Sequence, residues 1–198
     1  MLRMVIGQIG TIISTYHYIK ARMKLNNLVR AAIFAALAIG VGFSLMLVPN
    51  IELVTVTIFI SGLTLGSAWG MVIGGTAEII FSSLNPLGSG LSFPPLFFSQ
   101  VLSMIIIGAI GGLLRPIFYR TEFSFITLLG LGFTGLFVTF IYDSFTTLSY
   151  PLSAGFEFAQ TLGIYISGLA FSLIHQISNA IVFIVGIPRV MKYLAVQS

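Results

Sequence analysis

The sequence predicts an all-α membrane protein: a six-transmembrane-helix bundle with both termini in the cytoplasm. Three observations carry that prediction. The chain of 198 residues is 57% hydrophobic and 7% charged, with a mean hydropathy of +1.08, whereas a soluble domain carries about 25% charged residues. Its apolar residues fall in long runs, and about 20 such residues cross a bilayer as a helix. All nine Lys and Arg residues lie in three short stretches: Arg3 to Arg30, Arg115 with Arg120, and Arg189 with Lys192. Four of the five acids, Glu52, Glu78, Asp143 and Glu157, lie elsewhere, and Glu122 is the exception. Confining cations to alternate connections is the positive-inside pattern of a polytopic membrane protein.

The net charge of +4 therefore orients helices and touches anionic lipid in the bilayer; it does not point to nucleic acid. The chain has no cysteine, which removes disulfides, thiolate metal sites and cysteine nucleophiles together.

The elements follow in order. Residues 1–22 form an amino-terminal extension or an interfacial helix. The apolar run Met4 to Ile13 after Arg3 is too short to span and lacks a signal-peptide cleavage site, and Met23 offers an alternative start. The domain proper is expected over 23–198. Span one runs from Leu25 to Val48 and stops at Pro49-Asn50. Spans two (Ile51 to Leu65) and three (Trp69 to Leu84) are short and joined by the uncharged turn Gly66-Ser67-Ala68, so a re-entrant hairpin competes with two crossings. Span four covers Pro95 to Leu114, closed by Arg115-Pro116. Span five covers Phe123 to Thr146, and span six Phe158 to Val185, closed by Gly186-Ile187-Pro188-Arg189. The segments 85–94 and 148–157 become outer loops. The first is dense in turn formers, and its apolar residues predict that it folds over the bundle.

No HExxH, GxSxG or GxxxxGK[ST] pattern occurs, so metalloprotease, lipase-like and ATPase chemistry have no motif support. Two histidines, His17 and His175, do not by themselves make a metal site, and no cofactor is expected. Small residues are better organised. Ala32, Ala36 and Gly40 share one face of span one, with Ala31 and Ala35 beside them; such a stripe lets another backbone approach, inside the bundle or on a partner helix. In span three, Gly70 and Gly74 read as packing within the bundle.

Polar residues within spans are functional candidates because each needs a partner. Span six carries Thr161, Tyr165, Gly168, Ser172, His175 and Asn179 on one face. Its outer half is expected to line a pocket. His175, Gln176 and Asn179, reckoned at 1.5 Å per residue, fall in the cytoplasmic third and read as structural hydrogen bonders. Tyr142 and Asp143 near the outer end of span five, Gln100 at the start of span four, and Glu78 in span three converge toward an outer pocket; for Asp143 and Gln100 the equal alternative is a helix end that is polar because it meets water, and for Glu78 it is a bond within the bundle. Glu52, Phe93 and Tyr165 join the polar and aromatic inventory. With acids and aromatics near the outer ends and no basic residue there, a neutral or cationic ligand is favoured over an anionic one.

Asn50-Ile51-Glu52-Leu53-Val54-Thr55, the glycines Gly62, Gly66 and Gly70, and Asn85-Pro86-Leu87-Gly88, with the AxxxA pairs Ala31/Ala35 and Ala32/Ala36, resemble the substrate-binding S components of energy-coupling factor (ECF) transporters. The likeness covers Leu25 to Leu114; the remainder matches in length and span count. The resemblance implies a non-enzymatic subunit that binds a vitamin or related micronutrient from outside, with the loops holding Asn50 and Asn85 closing the pocket. It also implies docking, through Ala31, Ala32, Ala35 and Ala36, on a transmembrane scaffold protein and two ATPase subunits whose ATP hydrolysis drives uptake. A self-sufficient secondary transporter or channel is the alternative.

Overall fold

The computed structural model describes residues 25–196; the amino-terminal extension, with His17, lies outside the described residues. Seven α-helices and one short 3-10 turn account for the fold, with no strand among the described residues: α1 (Leu25–Leu45), α2 (Val54–Leu65), α3 (Ser67–Leu84), the turn Gly90–Ser92, α4 (Pro94–Leu113), α5 (Arg115–Phe118), α6 (Phe125–Ser153) and α7 (Phe158–Val196). By length and apolar character α1, α4, α6 and α7 are able to cross a membrane. The outward faces of these helices are apolar, with Leu28, Ile33, Ile126, Phe133 and Leu173 exposed, the pattern of a surface that meets lipid rather than water.

α2 is the hub. Every residue from Val54 to Thr64 is buried, against α3, α4 and α7. A helix so enclosed must satisfy its hydroxyls internally, and it does. Thr57 donates to the Leu53 carbonyl (2.6 Å), Ser61 to Ile58 (2.6 Å) and Thr64 to Ile60 (2.9 Å), a local back-bonding that lets Ser and Thr sit in an apolar core. With 12 residues, α2 is about 18 Å long, well short of the ~30 Å hydrocarbon core. Gly66, at φ +92°, lies in the left-handed region that a side chain disfavours. It turns the chain within one residue into α3, which runs back antiparallel, with Gly62 against Gly70 and Ile58 against Gly74.

Glycines also set the approach of α3 to α4. A Cβ on Gly70 would collide with the Gly108 carbonyl, one on Gly74 with the Met104 carbonyl, and one on Gly112 with the Ser67 backbone. Ser67 Oγ donates across the same interface to the Ala109 carbonyl (3.1 Å). Gly70 and Gly74 are thus packing residues, as the sequence suggested. On the other side, α6 and α7 pair antiparallel: Gly135 faces Ala180 and Phe183, and Gly132 faces Ile184. Phe183 packs on Phe59 of the hub (5.0 Å between ring centroids).

Several expected boundaries shift. α1 ends at Leu45, and the chain turns through Pro49 to Asn50, which takes φ +60°, a conformation asparagine tolerates. α6 continues to Ser153 through Pro151, so most of the expected outer loop 148–157 is helix. α7 continues past Pro188 to Val196. Buried Ile187 and Met191 hold it to the core, and the Arg189 guanidinium donates to the Val185 carbonyl (2.8 Å) in the turn that the proline disrupts. The 85–94 connection does fold on the bundle: Ser89 Oγ donates to the Ser83 carbonyl (2.8 Å), and Phe93 packs edge-on against Tyr150 (6.0 Å).

Candidate binding cavity

A cavity of about 350 Å³ opens where the end of α1, the 46–53 loop, the start of α2, the carboxy-terminal halves of α3 and α6, the middle of α4 and the amino-terminal half of α7 meet. It lies at the opposite end of the bundle from Arg115, Arg120, Arg189 and Lys192. Apolar and aromatic groups form much of its wall, including Leu45, Met46, Phe81, Met104 and Phe171; Asn50, Glu52, Thr55, Glu78, Tyr142, Asp143, Thr146, Ser172 and His175 supply polar groups.

A chain of hydrogen bonds ties the loop to α6 and α7. Glu52 Oε2 accepts from the Thr55 amide (2.9 Å), occupying one of the donors that a helix start leaves free. Its Oε1 accepts from Asn179 Nδ2 (2.8 Å). The same amide nitrogen lies 3.2 Å from His175 Nε2, and His175 Nδ1 lies 2.8 Å from Asp143 Oδ1. Gln176 Nε2 lies 3.4 Å from the other Asp143 oxygen. His175 Nε2 is 3.9 Å from Glu52 Oε1. Asp143 and His175 have the spacing of an acid–base pair, but Nε2 faces an amide and a carboxylate rather than a hydroxyl nucleophile.

Glu78 stands apart from this chain. It is 1% exposed, and its Oε1 is buried with no hydrogen-bond partner. Of the two readings left open for this residue, a bond within the bundle has no counterpart among the described residues. Tyr142 lines the cavity, and its hydroxyl lies 3.4 Å from Gln100 Nε2; Gln100 Oε1 in turn accepts from Ser82 (2.7 Å).

Of the residues expected from sequence, Asn50, Glu52, Glu78, Tyr142 and Asp143 come together on the cavity wall, and Gln100 stands directly behind it. Tyr165, Phe93 and Asn85 are not on the wall. The Tyr165 hydroxyl bonds Ser144 (2.8 Å), Phe93 belongs to an aromatic group with Tyr150, and Asn85 Oδ1 accepts from the Leu87 amide within its own turn (3.0 Å). His175 corrects the depth reckoning: it is on the wall, level with Asp143, and Asn179 reaches the loop through Glu52. His175, Gln176 and Asn179 are hydrogen bonders, as the sequence suggested, and their place on one helix face with Ser172 is the signal that could have put His175 on the wall.

The α1 stripe divides. Ala31 is buried (5% exposed) and Ala35 half-buried, whereas Ala32, Ala36 and Gly40 face outward, and a Cβ on Gly40 would meet nothing within 4 Å. No group of three or more His, Cys, Asp or Glu able to hold a metal ion occurs among the described residues. Comparison of the chain with protein-family models, curated proteins and solved structures finds no match.

Proposed function

We propose that this protein is the membrane-embedded substrate-binding subunit of an ECF-type importer, taking up a small vitamin-like micronutrient across the cell membrane. In this reading the chain crosses the bilayer six times, with α1, α2, α3, α4, α6 and α7, and both termini are cytoplasmic. α2 is short for a crossing, but non-helical backbone at membrane depth is tolerated where protein covers it, and the 46–53 segment that precedes α2 is packed into the cavity wall. The positive-inside rule then turns the ends bearing Arg115, Arg120, Arg189 and Lys192 inward and the cavity outward.

The observation that carries the reading is the pairing of that cavity with an α1 face of Ala32, Ala36 and Gly40 that no other described helix covers. The cavity suits a ligand, and the face suits a scaffold helix, on which two partner ATPases would act. The resemblance in the first four helices supports the same roles. The test is uptake into proteoliposomes. The chain alone is expected to bind substrate without concentrating it, and addition of a scaffold–ATPase module with ATP is expected to start uptake. Concentrative uptake by the chain alone under a proton or sodium gradient overturns the reading.

A second reading draws on the Glu52–Asn179–His175–Asp143 chain, since intramembrane acids joined to histidine also occur in proton-coupled transporters. The same assay separates the two.

A further inference from the structure

We infer that the ligand of the cavity is an organic cation, held by the carboxylate of Glu78. This rests on the binding role proposed above and adds the chemical class of what is bound. The argument is an inventory of donors and acceptors. Three acids line the cavity, Glu52, Glu78 and Asp143, and no Lys or Arg does. Both oxygens of Glu52 are engaged, by Thr55 and Asn179, and both oxygens of Asp143 face donors on His175 and Gln176. His175 is the one lining side chain able to carry positive charge, and both its ring nitrogens are already taken, by Asp143 and Asn179.

Glu78 receives none of this. It lies on α3, one side of the cavity, with a fully buried oxygen that no donor reaches. Next to the site, Asn179 Oδ1 is likewise a buried acceptor without a donor. What Glu78 and Asn179 both lack is a donor, and for Glu78 above all a charged one. A buried carboxylate without a partner is costly, and a ligand bearing a protonated amine or amidine would supply both the charge and the hydrogen bond.

The ligand class follows from the rest of the wall. The acids are spread around the cavity rather than gathered on one point, which disfavours a bare divalent cation. A cavity of about 350 Å³ with Phe81, Tyr142 and Phe171 on its wall suits a small ring-bearing molecule, because aromatic faces also attract cations. An anionic ligand would meet Glu78 with no Lys or Arg on the wall to offset it.

The test uses a matched series on the purified full chain in detergent: benzamidine, benzamide and benzoate, which share a ring and differ in charge. Calorimetric titration is expected to show benzamidine binding about tenfold or more tightly than benzamide, with no binding of benzoate. Glu78→Gln keeps the shape of the side chain and removes its charge, and is expected to abolish the preference for benzamidine. Native mass spectrometry of the wild-type chain, which needs no variant, is expected to find any co-purified small molecule to contain a basic nitrogen. Equal or tighter binding of benzamide or benzoate, absence of binding by all three, an unchanged preference in Glu78→Gln, or a co-purified molecule without a basic nitrogen each overturns the inference. If a scaffold–ATPase module nevertheless drives uptake of a neutral or anionic substrate, the importer reading stands and the cationic class falls. If the chain concentrates substrate alone while the charge preference holds, the reverse is true.

Discussion

His175 holds two structures together at once, through Asp143 on α6 and through Asn179 toward Glu52 in the loop. Removing it leaves two carboxylates in an enclosed place with fewer donors. A hydrogen bond to a charged group is worth about 1.5–3 kcal/mol, so His175→Ala is expected to lower both ligand affinity, by about ten- to a hundredfold, and the thermal unfolding temperature of the purified chain. Asp143→Asn is the milder change: the imidazole keeps a neutral acceptor, and affinity is expected to fall with a smaller loss of stability. Titration of a bound ligand beside thermal unfolding of each variant checks both, and His175→Ala with wild-type affinity would remove it from the site. Glu52, Glu78, Tyr142 and Asp143 were legible in the sequence because a polar group inside a long apolar run has to have a partner. His175 was misplaced because a ruler along one helix gives no level on another. α6 runs ten residues beyond Asp143, so that residue lies about 15 Å inside the helix end, and the long α7 brings His175 to meet it.

At the scale of helices, two glycines separate packing from surface. Gly70 lies so close to Gly108 that any side chain must push α3 from α4; overpacking of this kind costs about 1–3 kcal/mol or more. Gly70→Val is therefore expected to lower the thermal unfolding temperature and the yield of monodisperse protein. Gly40→Ala, on the open face of α1, is expected to leave both unchanged, since helix propensity favours alanine. Size-exclusion profiles with thermal unfolding compare the two, and equal stability of Gly70→Val and wild type would contradict the close α3–α4 contact. The four long apolar helices could be read from hydropathy alone. Their ends could not. Pro188 reads as part of a stop and Pro151 falls in an expected loop, yet in the structure the buried neighbours on either side, among them Ser149, Ile187 and Met191, keep the helices running through them. The hairpin of α2 and α3 was ambiguous for a related reason: both are apolar and short, and the sequence does not say that α2 is enclosed by protein on every side.

For the whole molecule the proposed function requires that a cavity at one end be coupled to work done elsewhere. Nothing in the chain resembles a phosphate-cradling loop, so in the proposed importer the energy enters through a partner. In that proposal the outward face of α1 is the place for the contact. Ala32 and Ala36 project away from the bundle while Ala31 and Ala38 hold the opposite face to it, so a bulky residue at 32 or 36 has room in the isolated chain and obstructs only a helix that approaches from outside. The cavity is reached from α1 at its other end, at Gly42, Leu45 and Met46, and Gly42 is about 9 Å along the axis from Ala36. Ala32→Trp and Ala36→Trp are accordingly expected to keep ligand affinity within about twofold of wild type, a difference under ~0.5 kcal/mol, and to lose ATP-driven uptake in proteoliposomes and co-purification with the scaffold–ATPase module. Titration of the isolated variants and uptake by the assembled complex have to be measured on the same preparations, because only their divergence locates the contact. Uptake at the wild-type rate by both variants would move the docking surface off this face of α1.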